Sequence, residues 1–323
     1  MVLCSGHRGP PIDTDPMPTL NANGIRIAFE TTGDAKGVPL LLIHGLGMQL
    51  TAWPDALVDG LAEQGFFVIR FDHRDCGLST KFDAAGTPNL GLAWLKTRLH
   101  LRLRPPYTLD DMAQDALAVL SALGVARAHV VGVSMGGMVA QLLAAHHGHR
   151  VLTLTSIMST SGRRGLPGPT RAVRAAMLRR PADPASVDSV LDNAVALWRA
   201  IGSPAYPTSD AALRQGVLRA LRRSNCPSGA ARQMLAIAAA PDRTPLLAQL
   251  TMPTLVIHGA ADPLVPLACG VDVAERVPGA RLEVIEGMGH DLPFQLIERL
   301  LALIDLHAHG KMILPPVRLF EQQ

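Results

Sequence analysis

The segment Gly132-Val133-Ser134-Met135-Gly136-Gly137 constrains this chain more than any other stretch. An apolar run over 128–133 enters it and a helix-forming run over 135–147 leaves it, which puts a serine on a sharp turn between a buried strand and a helix. A side chain held on such a turn stands out above the sheet edge, where its hydroxyl can act as a nucleophile. The Gly-x-Ser-x-Gly pattern alone proves little in a chain with 29 Gly, so the surroundings have to decide the reading.

Those surroundings have the pattern of an α/β fold. Short apolar runs at 25–31, 39–44, 67–72, 128–133, 151–157, 254–258 and 282–285 read as strands, several of them apolar throughout, as strands buried on both faces must be. Helices are expected over 55–64, 108–123, 135–147, 266–276 and 293–307, an alternation that predicts a largely parallel sheet with crossover helices. Thr108 followed by Asp111 marks a helix start, with Asp in place of the usual Glu or Gln, and Gly124 a stop. Between 159 and 250 the strand signals vanish. Helical segments broken by Pro167, Pro181, Pro204, Pro227 and Pro241 replace them, and they read as a helical cap inserted over the sheet. The expected organisation is a tail at 1–20, a core at 21–158 and 251–309, a cap at 159–250 and a tail at 310–323.

At 323 residues the chain is long enough to bury a large core without covalent staples. Cys4, Cys76, Cys226 and Cys269 are widely spaced, which argues against a disulfide framework or a zinc site. The first 18 residues lack the apolar stretch of a secretory signal, and every apolar run is too short for a membrane span, so a soluble cytoplasmic protein is expected. Net charge is only +3, but 160–245 holds 13 Arg against 5 Asp and neither Lys nor Glu. Nucleic-acid motifs and interleaved aromatics are missing from that segment, so its Arg excess reads as solvated faces of cap helices rather than a nucleic-acid surface.

A serine hydroxyl needs a histidine to take its proton and a carboxylate to orient the histidine. His290 follows the strand ending at 285, in Glu286-Gly287-Met288-Gly289-His290-Asp291, a glycine-containing loop that can carry a side chain to the sheet's carboxyl edge. Asp262 follows the strand at 254–258, in Gly259-Ala260-Ala261-Asp262-Pro263, and the stretch 158–165 after the preceding strand offers no rival acid. The chain order Ser134, Asp262, His290 is that of the α/β-hydrolase arrangement rather than of the two protease orders. An oxyanion formed at Ser134 needs backbone donors. The N–H of Met135 and the N–H of Leu46, in His44-Gly45-Leu46-Gly47, are the candidates.

On these residues, together with Asp72-His73-Arg74-Asp75-Cys76-Gly77-Leu78-Ser79, the chain resembles the α/β-hydrolase family from Asn23 to about His307. Within it the chain is most similar to carboxylesterases and aclacinomycin methylesterase-like enzymes, through the Asp-His-Arg-Asp stretch and the Ser-Met-Gly elbow. The resemblance implies an eight-stranded, mostly parallel sheet with the second strand antiparallel, a helical cap, no cofactor, and hydrolysis of a small-molecule ester. Ser134 stands where epoxide hydrolases and haloalkane dehalogenases carry Asp, which disfavours their chemistry. The single Leu46 between glycines sets the chain apart from three-glycine esterases.

Lactone hydrolysis, perhydrolysis or cofactor-free halogenation, and carbon–carbon bond hydrolysis would reuse the same three residues, and a purely binding protein is the non-enzymatic alternative. Asp72, Arg74 and Asp75 read as a structural charge network at a strand end, and Cys76 as no nucleophile. Trp53, Trp94, Trp198, Met48, Met135 and Met138 are candidate pocket liners, with ordinary core packing the competing reading for each. The sequence leaves the cap's substrate preference open, and with it any assembly into a homo-oligomer.

Overall fold

The computed structural model describes residues 17–99 and 101–311. Eight strands, β1 (Thr19–Ala22), β2 (Ile25–Thr32), β3 (Val38–Ile43), β4 (Phe66–Phe71), β5 (Ala128–Val133), β6 (Val151–Ile157), β7 (Thr254–Gly259) and β8 (Arg281–Ile285), make one sheet in the order β1-β2-β4-β3-β5-β6-β7-β8. β2 is antiparallel to both neighbours, and the pairs from β4 to β8 are parallel. This is the mostly parallel eight-stranded sheet, with its second strand reversed, that the resemblance implies. β1 is the strand absent from the pattern reading. Only Ala22 among its four residues is buried, so the alternation that would mark it is too short to stand out.

Eleven helices are present among the described residues: α1 (Asp55–Glu63), α2 (Leu90–Arg98), α3 (Leu109–Ala122), α4 (Met135–His146), α5 (Arg171–Leu178), α6 (Val187–Ile201), α7 (Asp210–Arg223), α8 (Pro227–Ala239), α9 (Thr244–Leu247), α10 (Leu267–Arg276) and α11 (Ile297–Ala308). Alternate residues of the central strands feed two cores. Leu41 and Ile43 of β3 join Met112, Val139, Leu143 and Val273 of α3, α4 and α10, while Leu40 and Leu42 join Leu57, Leu61, Leu300 and Ile304 of α1 and α11. The sheet is covered on both faces, the physical reason its strands read as unbroken apolar runs.

The start of α3 is a full capping box. Thr108 Oγ1 accepts from Asp111 N–H at 3.1 Å and Asp111 Oδ2 accepts from Thr108 N–H at 2.7 Å, so Asp substitutes for Glu without loss of either bond. α2 carries no amphipathic signal, with Ala93 its one buried residue. Between β6 and β7 the chain is helical, α5 to α9. Part of the expected tails and Cys4 lie outside the described residues. Among those described, no helix is long and apolar enough to cross a membrane, and no group of three or more His, Cys, Asp or Glu is placed to hold a metal ion.

The Arg-rich segment corrects one expectation. Arg223 and Arg232 are not solvated but turn inward, onto Asp72 and Asp75. Arg243 is buried against neutral acceptors, Gln141 Oε1 at 3.1 Å and the Thr160 carbonyl at 2.8 Å, and burial lowers its pKa to about 10. Within the segment, Arg199 pairs with Asp210 and Arg214 with Asp188 and Asp192.

Candidate active site

Ser134 joins β5 to α4 with φ 55° and ψ −119°, a left-handed conformation a non-glycine residue adopts only where the surroundings enforce it. Its N–H donates to the Ile157 carbonyl at 2.9 Å. Its own carbonyl accepts from the Ser159 hydroxyl at 2.8 Å and from Gly137 N–H at 2.9 Å. The flanking glycines are fixed by close approach. A Cβ on Gly132 would lie 2.3 Å from the Gly136 carbonyl oxygen, and one on Gly136 would lie 2.1 Å from that of Ile43. The turn therefore seats α4 directly against β5 and β3, and leaves the Ser134 side chain half-buried at the sheet's edge.

Two later loops meet it there. His290 Nε2 lies 3.0 Å from Ser134 Oγ, and His290 Nδ1 lies 2.7 Å from Asp262 Oδ2. Asp262 Oδ1 accepts the N–H groups of Leu264 and Val265 at 2.9 and 2.8 Å, so both oxygens are committed and the carboxylate is held in one orientation. With Nδ1–H donating to Asp262, the lone pair at Nε2 faces the serine hydroxyl. A second histidine near the acid does not compete. His258 Nε2 stands 3.6 Å from Asp262 Oδ2 but donates to the Val265 carbonyl at 2.8 Å, and burial lowers its pKa.

The His44–Gly47 turn lies on the other side of the serine. A Cβ on Gly45 would sit 3.5 Å from Ser134 Cβ, and Gly47 turns the chain with φ +68°. Among the described residues, no acceptor takes the N–H of Leu46 or of Met135, the first residue of α4. His44, beneath the turn, accepts from Gly45 N–H at Nδ1 (3.1 Å), and its ring lies tilted at 57° against that of Trp53, 4.8 Å between ring centroids. Burial, with the charges of His73 and Arg70, lowers its pKa to about 3, so it is neutral.

Asp72, Arg74 and Asp75 do not pair with one another. Each takes its own partner: Asp72 with Arg223 at 2.8 Å, Arg74 with Asp115 at 2.7 Å, and Asp75 with Arg232 at 2.7 Å. Burial pushes the Cys76 thiol up to about 12, and its Sγ lies 3.0 Å from the Met48 carbonyl, so it is no nucleophile. Of the candidate pocket liners, Trp53, Met135 and Met138 are core residues. Trp94 is exposed beneath the Arg98 guanidinium, and Trp198 and Met48 are half-buried.

Three further residues touch this geometry without having been singled out in the sequence. Ser159 buttresses the Ser134 carbonyl, and its place at the end of β6 was a signal that could have found it. Ser203, between α6 and α7, accepts from Gly289 N–H at 2.8 Å and donates to Asp291. Gln233 of α8 accepts from Gly47 N–H at 2.8 Å. Nothing in the sequence marks the last two, because their partners are 86 and 186 residues away.

Comparison with known proteins gives the family and the fold. Residues 38–295 match the model of the alpha/beta hydrolase fold family. Rhodomycin D methylesterase DauP of a Streptomyces strain is 33% identical over 317 residues, covering 92% of this chain and 100% of the relative. Rhodomycin D methylesterase DnrP of Streptomyces peucetius is 33% identical over 319 residues, with the same coverage of 92% and 100%. A solved meta-cleavage product hydrolase from Pseudomonas fluorescens superimposes with a TM-score of 0.70 at 20% identity, covering 91% of this chain and 98% of that one, and it shares the fold.

Proposed function

The chain belongs to the α/β-hydrolase family, and from that premise we propose that it is a serine ester hydrolase with Ser134 as nucleophile, His290 as general base and Asp262 as orienting acid. The observation that carries the assignment is the continuous chain of short contacts, 3.0 Å from Ser134 Oγ to His290 Nε2 and 2.7 Å from His290 Nδ1 to Asp262 Oδ2.

In this reading Ser134 Oγ attacks the ester carbonyl as its proton passes to His290 Nε2, and the carbonyl oxygen becomes an oxyanion facing the free N–H groups of Leu46 and Met135. His290 returns the proton to the leaving alkoxide oxygen, and the alcohol departs from an acyl-Ser134. Water then attacks the acyl carbon, giving a proton to His290. When the acyl–oxygen bond breaks, that proton returns to Ser134 Oγ and the carboxylic acid leaves. Asp262 stays ionised throughout and stabilises the imidazolium.

The identity to two rhodomycin D methylesterases over their whole length favours a methyl ester of that type as substrate, with methanol as the leaving alcohol. The helices between β6 and β7 serve as the cap over the site, and their contacts with the acid portion of the ester set its preference. The test compares wild type with Ser134→Ala on p-nitrophenyl acetate and on rhodomycin D. Loss of both activities is expected, and equal rates in the two proteins overturn the assignment.

A further inference from the structure

The loops that carry His290 and Leu46 are both held from the segment between β6 and β7. We propose that this segment supplies two positioning residues, Ser203 for the general-base loop and Gln233 for the oxyanion loop, so that the site is aligned only while the cap is seated. The inference rests on the Ser134–His290–Asp262 reading.

At the base loop the turn after α6 lies along residues 287–291, backbone to backbone. The Ile201 carbonyl accepts His290 N–H at 2.7 Å, the Ser203 hydroxyl accepts Gly289 N–H at 2.8 Å, and Ala205 N–H donates to the Gly287 carbonyl at 3.2 Å. Ser203 is only 3% exposed, and it also donates to the half-buried Asp291 carboxylate. The contact has no slack, since a Cβ on Gly289 would stand 2.3 Å from the Gly202 carbonyl oxygen. With the turn lifted away, two adjacent backbone N–H groups at the base would lose their acceptors, a condition that folded chains avoid. The imidazole would lose its fixed distance to Ser134 Oγ at the same time.

At the oxyanion loop the fully buried Gln233 spans two chain segments. Its Oε1 accepts Gly47 N–H at 2.8 Å and its Nε2 donates to the Arg74 carbonyl at 2.9 Å. Its neighbour Arg232 anchors the same helix by its pair of bonds to Asp75. Gln233 thus ties the turn presenting Leu46 N–H to a loop that is itself fixed in the core. Neither residue touches the reacting atoms, and both act through the loops they hold.

The decisive measurement is the rate constant for phosphonylation of Ser134 by a fluorophosphonate, read separately from the fraction of protein that reacts, in Ser203→Ala and Gln233→Ala. For each variant the rate constant and the kcat per titrated site on p-nitrophenyl acetate are expected to fall together by about 10- to 100-fold. KM is expected to change by less than about 3-fold, because binding is left largely intact. A structural role alone lowers the reacting fraction or Tm and leaves the rate constant of the remaining fraction at the wild-type value; that result in both variants overturns the proposal. Ser134→Ala in the same assay separates the two layers. If it is inert while the cap variants react like wild type, only the positioning role is lost. If it hydrolyses ester at the wild-type rate, the triad assignment falls and the positioning role with it.

Discussion

Asp75 and Arg232 meet through two hydrogen bonds of 2.7 Å across 157 residues of chain, with neither side chain reached by solvent to any extent. Burial works to raise the Asp75 carboxyl, but the Arg232 guanidinium, the Phe82 N–H and the Tyr107 hydroxyl together hold it below the ordinary carboxylate range. Arg232 Nη1 also donates to the Gly86 carbonyl at 2.6 Å. The pair fastens α8, and with it Gln233, to the loop that follows β4.

Breaking a buried pair from one side leaves a desolvated charge, so Arg232→Met is expected to cost about 3–5 kcal/mol of stability. Asp75→Asn combined with Arg232→Met removes both charges and should be less damaging than Arg232→Met alone. Urea denaturation of the wild type, the Arg232 variant and the double variant checks this, and a double variant weaker than the single one would contradict it.

Asp262→Asn tests the orienting role. The two N–H donors at Oδ1 will keep the amide oxygen on their side, which turns the NH2 group toward His290 Nδ1. The imidazole then accepts at Nδ1 and carries its proton at Nε2, the wrong tautomer for taking one from Ser134. A fall in kcat of up to about 10⁴-fold on p-nitrophenyl esters is expected. A near-normal kcat would move the acid elsewhere.

The positions of Ser134, Asp262 and His290 were legible because each follows an apolar strand in a short loop, and strand-end loops converge on one edge of a parallel sheet. The reason for the glycines around His290 was not legible. Gly287 serves a left-handed turn with φ +70°, but Gly289 is required because the turn after α6 crosses it. Proximity between segments 86 residues apart leaves no local pattern. The same limit hid the destinations of Arg223 and Arg232. An arginine on a helix looks alike in sequence whether it faces water or an aspartate from another layer.

Acid stability follows from the buried histidines. Burial lowers the pKa of His44 to about 3, and burial is the first cause in His129 and His307 as well, each lowered to about 4, against 6.5 for the unfolded chain. Between pH 6.5 and about 4 the unfolded state therefore binds more protons than the folded one. Their contribution is fully present above pH 6.5 and is lost as pH falls toward the folded values, at up to ~1.4 kcal/mol per pH unit for each group. Urea midpoints at pH 7 should exceed those at pH 5. His129→Gln, which keeps an amide for Thr153 Oγ1 at 2.8 Å in the wild type, should reduce that difference. A midpoint unchanged between the two pH values would contradict the buried-neutral assignment.

Two glycine-to-alanine changes should act in opposite directions. Gly216 lies exposed inside α7, with nothing within 4 Å of an added Cβ and no positive φ, so Gly216→Ala should stabilise by about 0.5–1 kcal/mol through a less flexible unfolded chain. At Gly289 the methyl would press on the Gly202 carbonyl, 2.3 Å away, and neither backbone has a flexible side chain to yield. The turn after α6 must lift, stretching the Ile201–His290 bond of 2.7 Å. Gly289→Ala should therefore lose about 10- to 100-fold in kcat, while Gly216→Ala keeps wild-type turnover and gains in urea midpoint. Full activity in Gly289→Ala would mean that the base loop keeps its place without the turn pressed against it.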